Sequence, residues 1–165
     1  MLPMLPILVG ACLMVLLGVA LHDVAFRTIP NWMPATLLLL GGNIRALEGG
    51  LLRGLLACAL ILLGAGFCWR RGWLGGGDAK LLVACGLLVP PGLVLPMLRD
   101  VALAGGALAL LYLVLGQVLT PSRSACPASL LQRVLRAERH RICRRFPLPY
   151  GFAIAAGALL TLLKG

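Results

Sequence analysis

Acidic side chains are scarce here: 5 among 165 residues, against 15 lysines and arginines. Aromatic residues make up only 5%, and no two of the six cysteines are spaced as CxxC. Each scarcity removes a class of function. A net charge of +10 can mark nucleic-acid binding, but no basic stretch is interleaved with aromatics on which bases would stack, so nucleic acid is not an expected partner. Without CxxC pairs neither a zinc site nor a thioredoxin-like motif has support. Cys12, Cys58, Cys68 and Cys85 lie in apolar runs, where a thiol serves as a small hydrophobe. The first apolar run has no basic segment before it and is long for a cleaved signal, so it reads as a retained membrane helix.

Apolar residues are what the chain has in abundance, at 61%, well above soluble domains. A crossing needs about 20 mainly apolar residues. Stretches near that length are predicted at about 5–21, 32–47, 51–69, 78–98, 101–119 and 150–163, the second being the weakest because Asn43 and Arg45 interrupt it. Pro90-Pro91 is expected to kink the fourth. The expectation is an all-α, polytopic membrane protein of about six transmembrane helices, forming one domain over residues 1–165. Its long polar loop, about 120–148, contains SLLQRVLRAERHRICRRF. There Leu131, Leu135, Ile142 and Phe146 recur at near-helical spacing among arginines, the pattern of an amphipathic helix on an anionic membrane surface.

Six spans place both termini on one side. The opposite side then receives Arg27, Arg70, Arg71, Lys80 and the seven arginines of the long loop. Positive charge favours the cytoplasm, so that side is the predicted cytoplasmic one.

The few acids now become informative. Asp23 closes the first span and Asp78 opens the fourth, with two complete spans between them, so both fall at the same face. Glu48 and Asp100 fall at the other, where loop solvation beside Arg53 and Arg99 accounts for them. Two carboxylates that approach one another cannot both ionise easily and share a proton. The ionised member can take a proton from water while the protonated member polarises a carbonyl, which is aspartyl-protease chemistry and needs neither metal nor organic cofactor. Plainer readings stand beside this one. Asp23 can cap a turn or pair with Arg27, Asp78 can cap its helix, and Gly75 to Gly77 can be a linker. A small proton-coupled transporter could use the same acids with a glycine-broken helix.

Three motifs in one order narrow the choice. DVAFRTIPN (Asp23 to Asn31), GGGDAKLL (Gly75 to Leu82) and PYGFAIAAG (Pro149 to Gly157) resemble type IV prepilin peptidases, GxGD membrane aspartyl proteases, over most of the chain. The resemblance implies that Asp23 and Asp78 are the catalytic pair, and that prepilin or pseudopilin precursors lose a short basic leader after a glycine at the start of an apolar helix. The compact form most resembles enzymes of tight-adherence (Flp-type) pilus systems. The cysteine-bearing cytoplasmic domain of larger members has no counterpart, so no methyltransferase segment is expected. Supporting roles fall to Gly75 and Gly77, whose missing side chains let substrate approach and permit unusual dihedrals. Arg27 either braces Asp23 or marks the membrane border. Lys80 either tunes Asp78 or does the same, and Asn31 reads as a helix cap.

Overall fold

A computed structural model describes residues 4–118, 139–141 and 148–164. Among these residues there is no strand, and six long helices follow one another: α1 (Met4–Phe26), α2 (Trp32–Leu47), α3 (Leu51–Arg70), α4 (Gly76–Leu88), α5 (Val94–Val118) and α6 (Tyr150–Lys164). The expected all-α membrane architecture is what the chain forms. Met4–Phe26, Leu51–Arg70 and Pro91–Val118 are long and apolar enough to cross a bilayer. At 16, 13 and 15 residues, α2, α4 and α6 are shorter than the roughly 20 of a full crossing. Leu39, Leu60, Leu63, Leu95, Leu103 and Leu113 are largely exposed, giving an apolar exterior suited to lipid.

The core is built around α4, whose residues from Leu81 to Leu88 are all buried except half-buried Leu82. Helices α2, α3 and α6 pack around it, α1 packs on α2 and α6, and α5 packs on α6. The backbones of α1 and α4 stand apart, both leaning on α2 and α6, while their side chains, Cys12 and Leu16 with Leu81 and Cys85 among them, share one buried core. Small residues set the closest approaches. A Cβ on Gly41 would stand 3.0 Å from the Leu88 backbone, and one on Gly157 would stand 2.5 Å from the Val101 amide nitrogen.

Two sequence expectations need correction. The break near Pro90-Pro91 is a full interruption: α4 ends at Leu88, Val89 and Pro90 are extended, and a 3₁₀ turn over Pro91–Leu93 leads into α5. Proline lacks the N–H a helix needs and forces its predecessor out of helical geometry. The boundary expected near Arg99-Asp100 does not exist, because α5 runs through both residues. Asp100 therefore lies in no solvated loop. It is buried and accepts hydrogen bonds from Lys164 Nζ at 2.8 Å, Arg99 Nη2 at 3.0 Å and Thr161 Oγ1 at 3.4 Å. Glu48 likewise pairs with buried Arg45 at 2.7 Å. Both acids at this end of the bundle are held by cations.

At the other end, the link from α3 to α4 is a Schellman turn. The Trp73 amide donates to the Cys68 carbonyl and the Gly72 amide to that of Trp69, each at 2.9 Å. Gly72 takes φ +73°, a conformation glycine adopts without penalty, and Trp73 stands edge-on to Phe67 to complete the motif. Of the expected loop helix, Arg139 to Arg141 are described and helical. Its remainder, with Cys126, Glu138 and Cys143, lies outside the described residues.

Candidate active site

Asp23 occupies the last turn of α1 and is buried. The Arg27 amide donates back to the Asp23 carbonyl at 2.8 Å, closing the helix. Arg27 itself adopts φ +57°, a left-handed conformation uncommon for a residue with a side chain. The chain then turns through Thr28, Ile29 and Pro30 toward α2, and the Ile29 side chain becomes a peg between two helix starts. A Cβ on Gly77 would lie 3.2 Å from Ile29 Cβ, and one on Gly151 would lie 2.8 Å from Ile29 Cδ1. The absence of side chains at both glycines lets α4 and α6 begin beside the end of α1.

Asp78 stands in the first turn of α4, at the helix mouth, ahead of the apolar residues that begin at Leu81 and outside the three helices long and apolar enough to cross a bilayer. It is three residues past the N-cap, Gly75, and its carboxylate folds back to accept the Gly75 amide hydrogen, the reach a third-position acid makes in a capping box. Gly75 leaves room for this: a Cβ there would sit 2.7 Å from Asp78 Oδ2. The plain capping reading and the catalytic reading of Asp78 thus coexist. Neither Gly75 nor Gly77 has a left-handed backbone. Close approach, and not unusual dihedrals, is what these glycines permit.

The two aspartates line one cavity of about 540 Å³ together with Arg27, Thr28, Ile29, Gly75, Gly76, Gly77, Arg141, Leu148 and Tyr150. A volume of several hundred cubic ångströms suits a ligand segment. Burial chiefly, and the neighbouring charge of Asp23 next, push the Asp78 carboxyl up to about 6, against the lowering effect of its Gly75 hydrogen bond. Asp23 receives a different partner. The Phe152 amide, in the first turn of α6, donates to Asp23 Oδ2 at 3.1 Å. Gly151 makes that approach possible, since a Cβ there would lie 3.0 Å from Asp23 Cγ and Oδ2. Helix starts carry partial positive charge and free N–H groups, and here one of them is aimed at the Asp23 carboxylate.

Two arginines complete the wall. Arg27 Nη2 donates to the Tyr112 hydroxyl at 3.1 Å, and its guanidinium lies 5.8 Å from the Tyr112 ring centroid. Arg141, from the long loop, donates to the Val24 and Ala25 carbonyls at 3.0 and 3.2 Å, binding two of the last carbonyls of α1 as a basic C-terminal partner does. At Arg141 the loop engages the helix that carries Asp23.

Of the residues singled out from the sequence, Asp23, Asp78, Gly75, Gly77 and Arg27 come together at this cavity. Lys80 does not: its exposed amino group donates to Asn31 Oδ1 at 2.9 Å. Asn31 sits at the N-cap of α2 but makes no side-chain capping bond, so its expected capping role is not realised. Ile29, Arg141, Tyr150, Gly151 and the Phe152 amide were not singled out. Ile29 and the Tyr150–Phe152 segment lay inside quoted motifs, while nothing in the arginine-rich loop distinguished Arg141. Among the described residues no three His, Cys, Asp or Glu side chains group as a metal site.

The model of the type IV leader peptidase family matches residues 9–119, a span that includes Asp23 and Asp78. No curated protein and no solved structure matches the chain.

Proposed function

The chain belongs to the type IV leader peptidase family, and we propose that it is an aspartyl endopeptidase cutting the basic leader from prepilin-like precursors, with Asp23 and Asp78 as its catalytic pair. The observation that carries this reading is the shared cavity: two carboxylates from distant parts of the chain line one space, while Glu48 and Asp100 are neutralised at the far end. The pair is also asymmetric. Asp23, bonded to the amide at the start of α6, is the ionised member and takes the proton from water. Asp78, with its raised pKa, is the protonated member and polarises the scissile carbonyl. The attacking water adds to that carbonyl, and the proton taken by Asp23 passes to the departing amine as the C–N bond breaks. The titrations belong to the pair as a whole.

The same reading includes six crossings in the inner (cytoplasmic) membrane, a cytoplasm-facing site, a Flp-type precursor, anionic lipid against the basic loop, and a product that leaves unmethylated. The charge distribution supports the orientation. The transporter reading rests on the acids alone, whereas the family favours the peptidase.

The test is coexpression with a precursor carrying a basic leader, a glycine and an apolar helix, followed by gel shift. Asp23→Asn and Asp78→Asn should each abolish processing while the protein stays in the membrane. Processing at wild-type level in either variant would refute the paired mechanism.

A further inference from the structure

A second, apolar cavity of about 790 Å³ opens between α3 and α5. These two helices share no substantial interface: α3 packs on α4 and α5 packs on α6. The gap is floored by Leu82 of α4, walled on one side by Ala57, Gly64 and Cys68 of α3, and on the other by Leu98 and Ala102 of α5. Tyr150 lines both this groove and the cavity that holds the two aspartates, so the two spaces meet at the start of α6.

We propose that this groove seats the apolar helix of the precursor, aligned so that the bond to be cut, at the start of that helix, enters the aspartate cavity past Tyr150. The inference rests on the peptidase reading and adds the surface that selects the substrate. Its dimensions suit one helix. Ala57 and Cys68 are eleven residues apart on α3, about 16 Å at 1.5 Å per residue, or three turns. A helix approaches another closely where the wall is small. At Gly64 a Cβ would meet nothing within 4 Å, whereas at Gly157 it would meet α5. The α5–α6 contact is already made inside the chain, but no described residue fills the space before Gly64.

Continuity with the aspartate cavity selects this occupant. A lipid tail needs only an apolar surface, of which the exterior offers plenty, and a second copy of the chain would need no path to the aspartates. A substrate whose cleavage point adjoins its own apolar helix needs both spaces joined end to end.

Cys68, at the cavity end of α3 and half-buried, is a built-in probe. The test uses full-length protein with Cys68 as its sole cysteine, carrying Asp78→Asn so that the precursor stays whole, and precursors with single cysteines through the first three turns of the apolar helix. Oxidation should give a mixed disulfide at positions on one helical face, and Gly64→Leu, which fills the groove, should reduce it more than tenfold. In the active enzyme Gly64→Leu should lower kcat/KM for the full precursor more than tenfold relative to kcat/KM for a short peptide ending four residues past the cut. Leucine replaces a glycine in an exposed part of the helix, so folding is not at risk. Absence of the mixed disulfide, equal loss on both substrates, or loss on neither would overturn the proposal. A Cys68–Cys68 dimer in place of the mixed disulfide would assign the groove to a second copy. Crosslinking does not depend on cleavage, so failure of the groove and failure of the peptidase reading give different results.

Discussion

Replacing Gly151 with alanine should disable the site while leaving the fold intact. The added methyl would lie 3.0 Å from Asp23 Cγ and Oδ2 and 2.8 Å from Ile29 Cδ1. Comfortable carbon contacts begin at about 3.5 Å, so the carboxylate or the start of α6 must shift by roughly half an ångström or more. The Phe152 amide bond, now 3.1 Å, then stretches toward the limit of about 3.5 Å beyond which little remains. A hydrogen bond to a charged group contributes about 1.5–3 kcal/mol, and each 1.4 kcal/mol is tenfold in rate, so kcat/KM should fall about 10- to 100-fold. Stability should move little, because alanine is the better helix former by up to about 1 kcal/mol, which offsets the local crowding. The assay is leader release by purified enzyme in liposomes, followed by mass spectrometry, beside thermal unfolding monitored by tryptophan fluorescence. Cleavage at the wild-type rate would refute the claim that α6 holds Asp23 in its working position. A matching collapse of stability would show that the glycine serves packing alone.

Three further outcomes follow from the same geometry. In the proposed mechanism Asp78 acts protonated, and its carboxyl is raised to about 6, so kcat/KM should decline as pH rises through about 6, and the contribution of Asp78 to stability, full in acid, should likewise be lost as pH climbs from 3.8 toward about 6. A pH–rate profile flat to pH 8 would contradict its role as acid. Arg27→Gly should unfold at a higher temperature than Arg27→Ala, by the equivalent of about 1 kcal/mol, since both lose the Tyr112 contact but only glycine relieves the backbone at φ +57°; denaturant unfolding of the two variants decides it. Gly157→Ala should cost about 1–3 kcal/mol of overpacking, because its methyl would meet the Val101 backbone at 2.5 Å and α5 must part from α6; a calorimetric midpoint equal to wild type would count against that packing.

What could be read from the chain, and what could not, divides along the range of the interactions. The placement of Asp23 and Asp78 at one face needed only the parity of apolar runs, and local apolar content was enough for an all-α membrane fold. The boundary expected at Arg99-Asp100 is absent because two charges in sequence need not mark a loop. Those charges are tolerated inside α5 because Lys164, 64 residues onward, reaches Asp100, a pairing with no local signature. Pro90-Pro91, nine residues earlier, is the true break. Lys80 looked like a neighbour of Asp78 in sequence, yet its side chain is turned to Asn31. The reverse held for Gly151: 128 residues from Asp23, it is the glycine that brings α6 onto the Asp23 carboxylate.

The separation of the α1 and α4 backbones has a mechanical consequence. Each aspartate rides on a helix whose backbone is braced by α2 and α6, and for α4 by α3 as well, like the two jaws of a calliper pinned to a common frame. The spacing of the jaws is then set largely by the frame, and a small tilt of α6 changes it. A molecule that wedged the start of α6 away from Ile29 would disarm the pair without ever touching an aspartate.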